Sequence, residues 1–129
     1  MTIEAARKDY ELFLKELGIT DETVRQRMQE SPFNNDVMRL KSAGIVVKPS
    51  PIQGNGLFTA YPRAKGFQLI TAQRTTRFAP GVWSNHSNTA NTTVAASGNF
   101  MLIILNRDLK AGEEITTNYR EVHKLVTGQ

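Results

Sequence analysis

Apolar residues recur at helical spacing from the start of the chain. Ile3, Ala6, Tyr10, Phe13, Leu14 and Leu17 share one face and Arg7, Lys8, Glu11 and Lys15 the other, with Gly18 placed to end the helix. A second helix starts at once: Thr20 can cap it, Asp21 and Glu22 fall in the first turn where the helix dipole favours acids, and Ile19 can staple onto Val24. It runs to about Glu30 and is stopped by Pro32. A shorter helical turn is predicted from Asn34 or Asn35 to Ser42, closed by Gly44, with Val37, Met38 and Leu40 apolar.

After Gly44 the periodicity changes. Short β-branched or aromatic runs at Ile45–Val47, Leu57–Tyr61, Phe67–Ala72, Trp83–Ser87, Thr92–Ala95, Phe100–Leu105 and Ile115–Asn118 are separated by Pro, Gly, Ser and Asn clusters, and read as strands. Gly98-Asn99 and Ala111-Gly112 are turn signals between them. The pattern predicts a mainly β, α+β protein: an N-terminal helical arm over 1–42 packed on a β-rich domain over 43–129.

The length of 129 residues suits one ordinary domain, and 40 % hydrophobic with 22 % charged residues suits a folded soluble one. With no Cys, a disulfide framework, a thiolate metal site and a cysteine nucleophile are excluded; His86 and His123 alone, far apart, predict no metal site. The longest apolar run is Phe100–Leu105, far short of the ~20 residues of a membrane span, so a soluble protein in the cytoplasm of the cell or host is expected. Net charge is +4, unevenly placed. Residues 1–31 carry five Lys/Arg and seven Asp/Glu, whereas 32–129 carry eleven and five, with no acid between Asp36 and Asp108. A basic face that attracts anions follows, and residues 1–31 read as an accessory arm outside any ligand site.

Several local features offer chemistry, none specific alone. Gly54-Asn55-Gly56 ahead of a strand lets the backbone turn sharply and offer bare N–H and C=O groups, although an isolated Gly-x-Gly is most often a hairpin turn. Pro62-Arg63-Ala64-Lys65-Gly66 is a tight turn with a basic rim. Asn85-His86-Ser87-Asn88, with Asn91 close behind, is a polar segment able to read the donor and acceptor edge of a ligand, or simply a polar loop. Leu109-Lys110-Ala111-Gly112-Glu113-Glu114-Ile115 leads through a strand to Tyr119, and a tyrosine there is commonly a packing residue with a wet hydroxyl.

Taken in order, the Gly-x-Gly-Leu-Phe strand, the Lys-Gly turn, the aromatic-x-Asn-His-Ser segment and the Ala-Gly-Glu-Glu-Ile-x-x-x-Tyr run resemble the SET-domain protein lysine methyltransferases, from about Ile45 to Tyr119. The resemblance is to the minimal phage and viral members, since only Gln73–Val82 fills the interval that is longer elsewhere. It implies a β-clip fold with a threaded C-terminal segment that brings Asn85-His86 beside Glu114–Tyr119. It also implies S-adenosylmethionine as cofactor, with no metal. The backbone around Gly54, Asn55, Gly56 and Leu57 would bind the amino-acid end of that cofactor, Asn85 its methionine part and His86 its adenine; Tyr119 would be the catalytic tyrosine and Trp83 core or channel wall. The partner is a protein bearing the target lysine, in acidic or neutral flanks given the acid-free stretch. That lysine must react as the neutral amine, which at pH 7 costs about 4–5 kcal/mol. The sequence departs from the family at Asn88, Ala90, Gly81, Val82 and Thr117-Asn118, and no cysteine-rich segment follows Tyr119, so Glu121–Val126 would close the channel. Two other readings are a non-catalytic SET-like module that binds protein or nucleic acid through the basic face, and a helical arm over 1–42 that recruits a partner.

Overall fold

The computed structural model describes residues 2–30, 37–73, 78 and 83–127. Helix α1 covers Ile3–Leu17 and α2 Asp21–Glu30. The Thr2 hydroxyl accepts from the Ala5 N–H at 3.1 Å to cap α1, and Gly18 ends it at φ +68°, a backbone that residues with a Cβ resist, while its N–H donates to the carbonyls of Leu14 and Lys15. Thr20 caps α2 as predicted, accepting from the Thr23 N–H at 3.2 Å. Helix α3 covers Val37–Ser42; its predicted start at Asn34 or Asn35, and the Pro32 stop, lie outside the described residues.

Seven strands follow: β1 Ile45–Pro49, β2 Asn55–Thr59, β3 Gln68–Gln73, β4 Asn85–His86, β5 Thr92–Ser97, β6 Phe100–Leu105 and β7 Glu114–Thr117, then helix α4 Tyr119–Thr127. They form a four-stranded sheet in the order β1-β2-β7-β4 and a three-stranded sheet β3-β6-β5. All neighbours are antiparallel except β4 and β7, which run parallel. In β6, Met101, Ile103 and Leu105 are buried, alternating with the other face as a half-buried strand must.

Two apolar clusters make the core. One packs Leu40, Ile45, Leu57, Leu69, Ile103 and Ile115 from α3 and both sheets. The other joins α1, α2 and α4 with Phe78 and β6: Tyr10, Phe13, Val24, Met28, Tyr119 and Val122 are among its buried members. Ile19 packs against the same cluster as Val24, as a staple would. The first two helices and the C-terminal helix therefore bury their apolar faces on one another.

The C-terminus differs from the sequence expectation. Tyr119 does not end a strand; it begins α4, which the strand pattern did not foresee. The reason is local: the Asn118 side chain accepts from the Arg120 N–H at 3.0 Å and its carbonyl accepts from the Glu121 N–H, so Asn118 acts as an N-cap and stops β7. Tyr119, Val122, Leu125 and Val126 then fall on one helical face and join the helical cluster. The strand expected over Trp83–Ser87 contracts to the two residues of β4. Among the described residues no helix is long and apolar enough to cross a membrane.

Candidate functional site

Asn85 and His86 pair in parallel with Thr116 and Thr117, and the Ser87 N–H donates to the Thr117 carbonyl at 3.1 Å. So short a ladder holds little by itself. Side chains reinforce it: Asn91 Oδ1 accepts from the Thr116 N–H at 2.9 Å, its Nδ2 donates to the Glu114 carbonyl at 2.8 Å, and the Thr92 hydroxyl donates to the Thr116 carbonyl at 2.8 Å. The junction thus joins segments about 30 residues apart in sequence, and Asn91 is the residue that clamps it.

Asn85 is 1 % exposed, and both ends of its amide are engaged. Nδ2 donates to the carbonyls of Gln53 at 2.9 Å and Asn55 at 3.3 Å and to Glu114 Oε2 at 2.9 Å, while Oδ1 accepts from the Arg25 guanidinium of α2 at 3.0 Å. Three acceptors on one side and a cation on the other decide which end is nitrogen. The Gly-x-Gly turn is explained by the same cluster. Gly54 has φ +43°, and a Cβ there would lie 3.8 Å from the Arg25 guanidinium carbon. A Cβ on Gly56 would run into the Glu114 carboxylate and come within 2.9 Å of Ser50 Cβ. The Ser50 hydroxyl donates to that carboxylate at 2.8 Å, and the Ser50 N–H donates to the Gly54 carbonyl at 2.8 Å. The carbonyls of Gln53, Gly54 and Asn55 all have partners inside the chain.

His86, 2 % exposed, sits one residue further on. Its Nδ1 accepts from the Tyr119 N–H at 3.0 Å, so the proton is on Nε2, which donates to Asp9 Oδ2 of α1 at 2.6 Å. Burial pushes the imidazole below its ordinary range and outweighs the opposing pull of Asp9, keeping the ring neutral. Burial would raise Asp9, but the hydrogen bonds from His86 and Arg120, with the Arg120 charge, overcome it and hold the carboxyl below its usual range. The Phe13 ring lies 6.0 Å from the imidazole at 7°, and Tyr10 6.1 Å away at 29°. The Tyr119 hydroxyl donates to the Ser84 carbonyl at 2.7 Å; the side chain is wholly buried, which raises its pKa and keeps the phenol protonated.

The predicted residues therefore fall into two adjoining groups: Gly54, Asn55, Gly56 and Asn85 in one hydrogen-bonded cluster, His86 and Tyr119 in another. Leu57 is part of the sheet core, and half-buried Trp83 packs against the cluster around Tyr119. Residues 1–31, expected as an accessory arm, reach both groups: α2 meets Asn85 through Arg25, and α1 meets His86 through Asp9 and Phe13. The sequence patterns marked Tyr10 and Phe13 only as core. Asp9, four residues before Phe13, lies on the same side of α1, which is the signal that would have found it. Nothing in the local sequence singles out Arg25 or Ser50.

The Asn85 and His86 side chains expected to contact S-adenosylmethionine are thus buried and partnered within the chain, whereas Gly54 and Asn55, whose backbone was expected to bind it, are exposed. The recess that Gly56 opens holds the Glu114 carboxylate, and Arg25 lies over Gly54. In this arrangement the Asn85 amide hydrogens and the His86 Nε2–H are committed to partners within the chain. Among the described residues no cluster of three or more His, Asp or Glu could hold a metal ion.

No protein-family model and no curated protein sequence matches the chain. Among solved structures, it is similar to the crystal structure of a candidate histone methyltransferase of Plasmodium falciparum over 59 % of this chain and 92 % of that one, at 17 % identity and a TM-score of 0.46.

Proposed function

We propose that the chain is a SET-like protein methyltransferase of the minimal phage and viral type, directing a methyl group from S-adenosylmethionine to a lysine side chain of a protein partner inside the cell. The observation that carries this reading is the meeting of the Gly-x-Gly turn, the Asn-His-Ser segment and the Glu-Glu-Ile-x-x-x-Tyr run at the β4–β7 junction, where Asn85 bridges the first to the third and His86 binds the Tyr119 N–H. The parallel pairing of residues 85–86 with 116–117 supports the threaded C-terminal segment. The protonated, buried Tyr119 phenol suits a hydroxyl that orients neighbouring groups and does not act as a base. A labelled-methyl transfer assay on lysates of the source cell tests the reading, with substrate lysines expected in acidic or neutral flanks. Preferred methylation of strongly basic peptides would overturn that choice of flanks.

A second reading is favoured by one observation, the saturation of Asn85 and His86 by α1 and α2. In it the chain is a non-catalytic SET-like module that binds protein or nucleic acid through its basic face. Salt-sensitive nucleic-acid binding, together with no methyl transfer on any lysate protein, would select this reading.

A further inference from the structure

We infer that the α1–α2 hairpin is a built-in occupant of the place where the proposed function puts the cofactor, and that a ligand of Asn85 and His86 binds only when the hairpin leaves; the inference rests on that functional reading. Arg25 lies against Asn85 Oδ1, on the side a ligand would approach, and the His86 Nε2–H can donate to a ligand only by giving up Asp9. The occupant also resembles such a ligand in chemistry. Arg25 brings a cation to Asn85 and Gly54, as the ammonium of a methionine moiety would, and like charges cannot share that spot cheaply. Phe13 brings a flat ring stacked on His86 at 7°, as a purine would.

The hairpin is built to move as one body. The Tyr10 hydroxyl donates to Asp21 Oδ1 at 2.5 Å, tying α1 to α2, and Asp21 in turn accepts from Arg25 at 3.2 Å. A latch on the other side comes from α4: Arg120 donates to Asp9 Oδ1 at 3.3 Å and pairs with Glu16. Arg25 and Arg120 thus hold the two ends of the same lid, one against the Gly-x-Gly side and one against the C-terminal helix. When the binding-competent form is a small fraction of the population, the observed dissociation constant rises by the inverse of that fraction; an open fraction of about one in a thousand weakens binding ~10³-fold.

The test uses the full chain as wild type, Arg25→Ala and Arg25→Ala/Arg120→Ala. S-adenosylmethionine and S-adenosylhomocysteine are titrated by calorimetry, and amide hydrogen exchange of 3–30 is followed with and without ligand. Exchange in 3–30 should speed up in the order wild type, single, double variant, while 92–105 stays protected, and affinity should rise in the same order, at least ~10-fold for the double variant. Unchanged exchange of 3–30 in the double variant overturns the inference, because the two arginines then do not hold the hairpin. Tight binding by wild type with 3–30 still protected also overturns it and leaves the methyltransferase reading standing. Faster exchange of 3–30 without binding of either ligand overturns the methyltransferase reading itself and the gate that rests on it.

Discussion

Phe13→Ala is the sharpest probe of whether the N-terminal helices belong to the fold or merely adhere to it. Phe13 is 2 % exposed, and its ring meets Phe78 at 5.1 Å, His86 at 6.0 Å and Tyr119 at 6.1 Å, with the Arg120 guanidinium 5.5 Å from its centre. Truncating a buried Phe removes its transfer free energy and leaves a cavity, at a cost of about 3–5 kcal/mol. With an unfolding entropy of ~2.1 cal/mol/K per residue, a chain of this length loses ~0.27 kcal/mol per kelvin, so the midpoint should drop by about 11–18 °C. Urea titration followed by both far-UV circular dichroism and Trp83 fluorescence should show one coincident transition, shifted down with little change in slope. A loss under ~1 kcal/mol would refute the argument, since the Phe13 ring would then contribute nothing to the stability of the core it fills.

Gly56→Ala should destabilise by about 1–3 kcal/mol, because the new Cβ meets the Glu114 carboxylate and Ser50; Glu114→Ala in the same chain should recover part of that loss, read as a coupling in a double-mutant cycle. Asn85→Ala should cost at least ~1–3 kcal/mol in urea titration even without ligand, since it strips partners from the Gln53 and Asn55 carbonyls, Glu114 and Arg25 together. Tyr119→Phe should leave the Ser84 carbonyl unpaired and lower stability by about 1–3 kcal/mol by the same assay. Acid should act in two stages, because the folded-state pKa lies below the unfolded value for both His86 and Asp9: stability is complete above the ordinary histidine value of 6.5, falls as pH drops below it toward the folded His86 value, and falls again below the ordinary Asp9 value of 3.8. Asp9→Asn should abolish the lower stage and enlarge the upper one, since Asp9 opposes the depression of the His86 pKa; urea midpoints measured from neutral pH down to well below the Asp9 range check both.

The two N-terminal helices and most strands were legible because their signals are local. Thr20 caps where a cap was expected, Gly18 turns where a left-handed residue was needed, and β6 alternates with period two. The C-terminal helix was hidden by Ile115-Thr116-Thr117, whose β-branched run carries the eye past Asn118, although Asn118 as a cap and Val122, Leu125 and Val126 beyond it spell a helix start. The candidate site was half legible. Motif order marked Gly54, Gly56, Asn85, His86 and Tyr119, and these do converge. What covers them was not legible, because Asn85–Arg25 and His86–Asp9 join residues 60 and 77 positions apart; the spacing of Asp9 to Phe13 puts Asp9 on the apolar side of α1, but no local pattern names the buried group it meets.

That inward turn follows from a general requirement. A buried amide and a buried imidazole must each find partners, from a ligand or from the chain, since an unsatisfied one costs about 1–3 kcal/mol. Here Arg25 and Asp9 meet the requirement from within, and their side chains arrive on helices whose apolar residues are themselves committed to the core around Tyr119. The competition is therefore unequal. A ligand at a hundred times its dissociation constant for the open form contributes about 2.7 kcal/mol, less than the ~3–5 kcal/mol held by Phe13 alone. Ligand by itself does not lift the hairpin at such concentrations, and opening has to begin at the polar latches, Arg25 on Asn85 and Arg120 on Asp9, where loss of a bond exposes charge to water and not apolar surface.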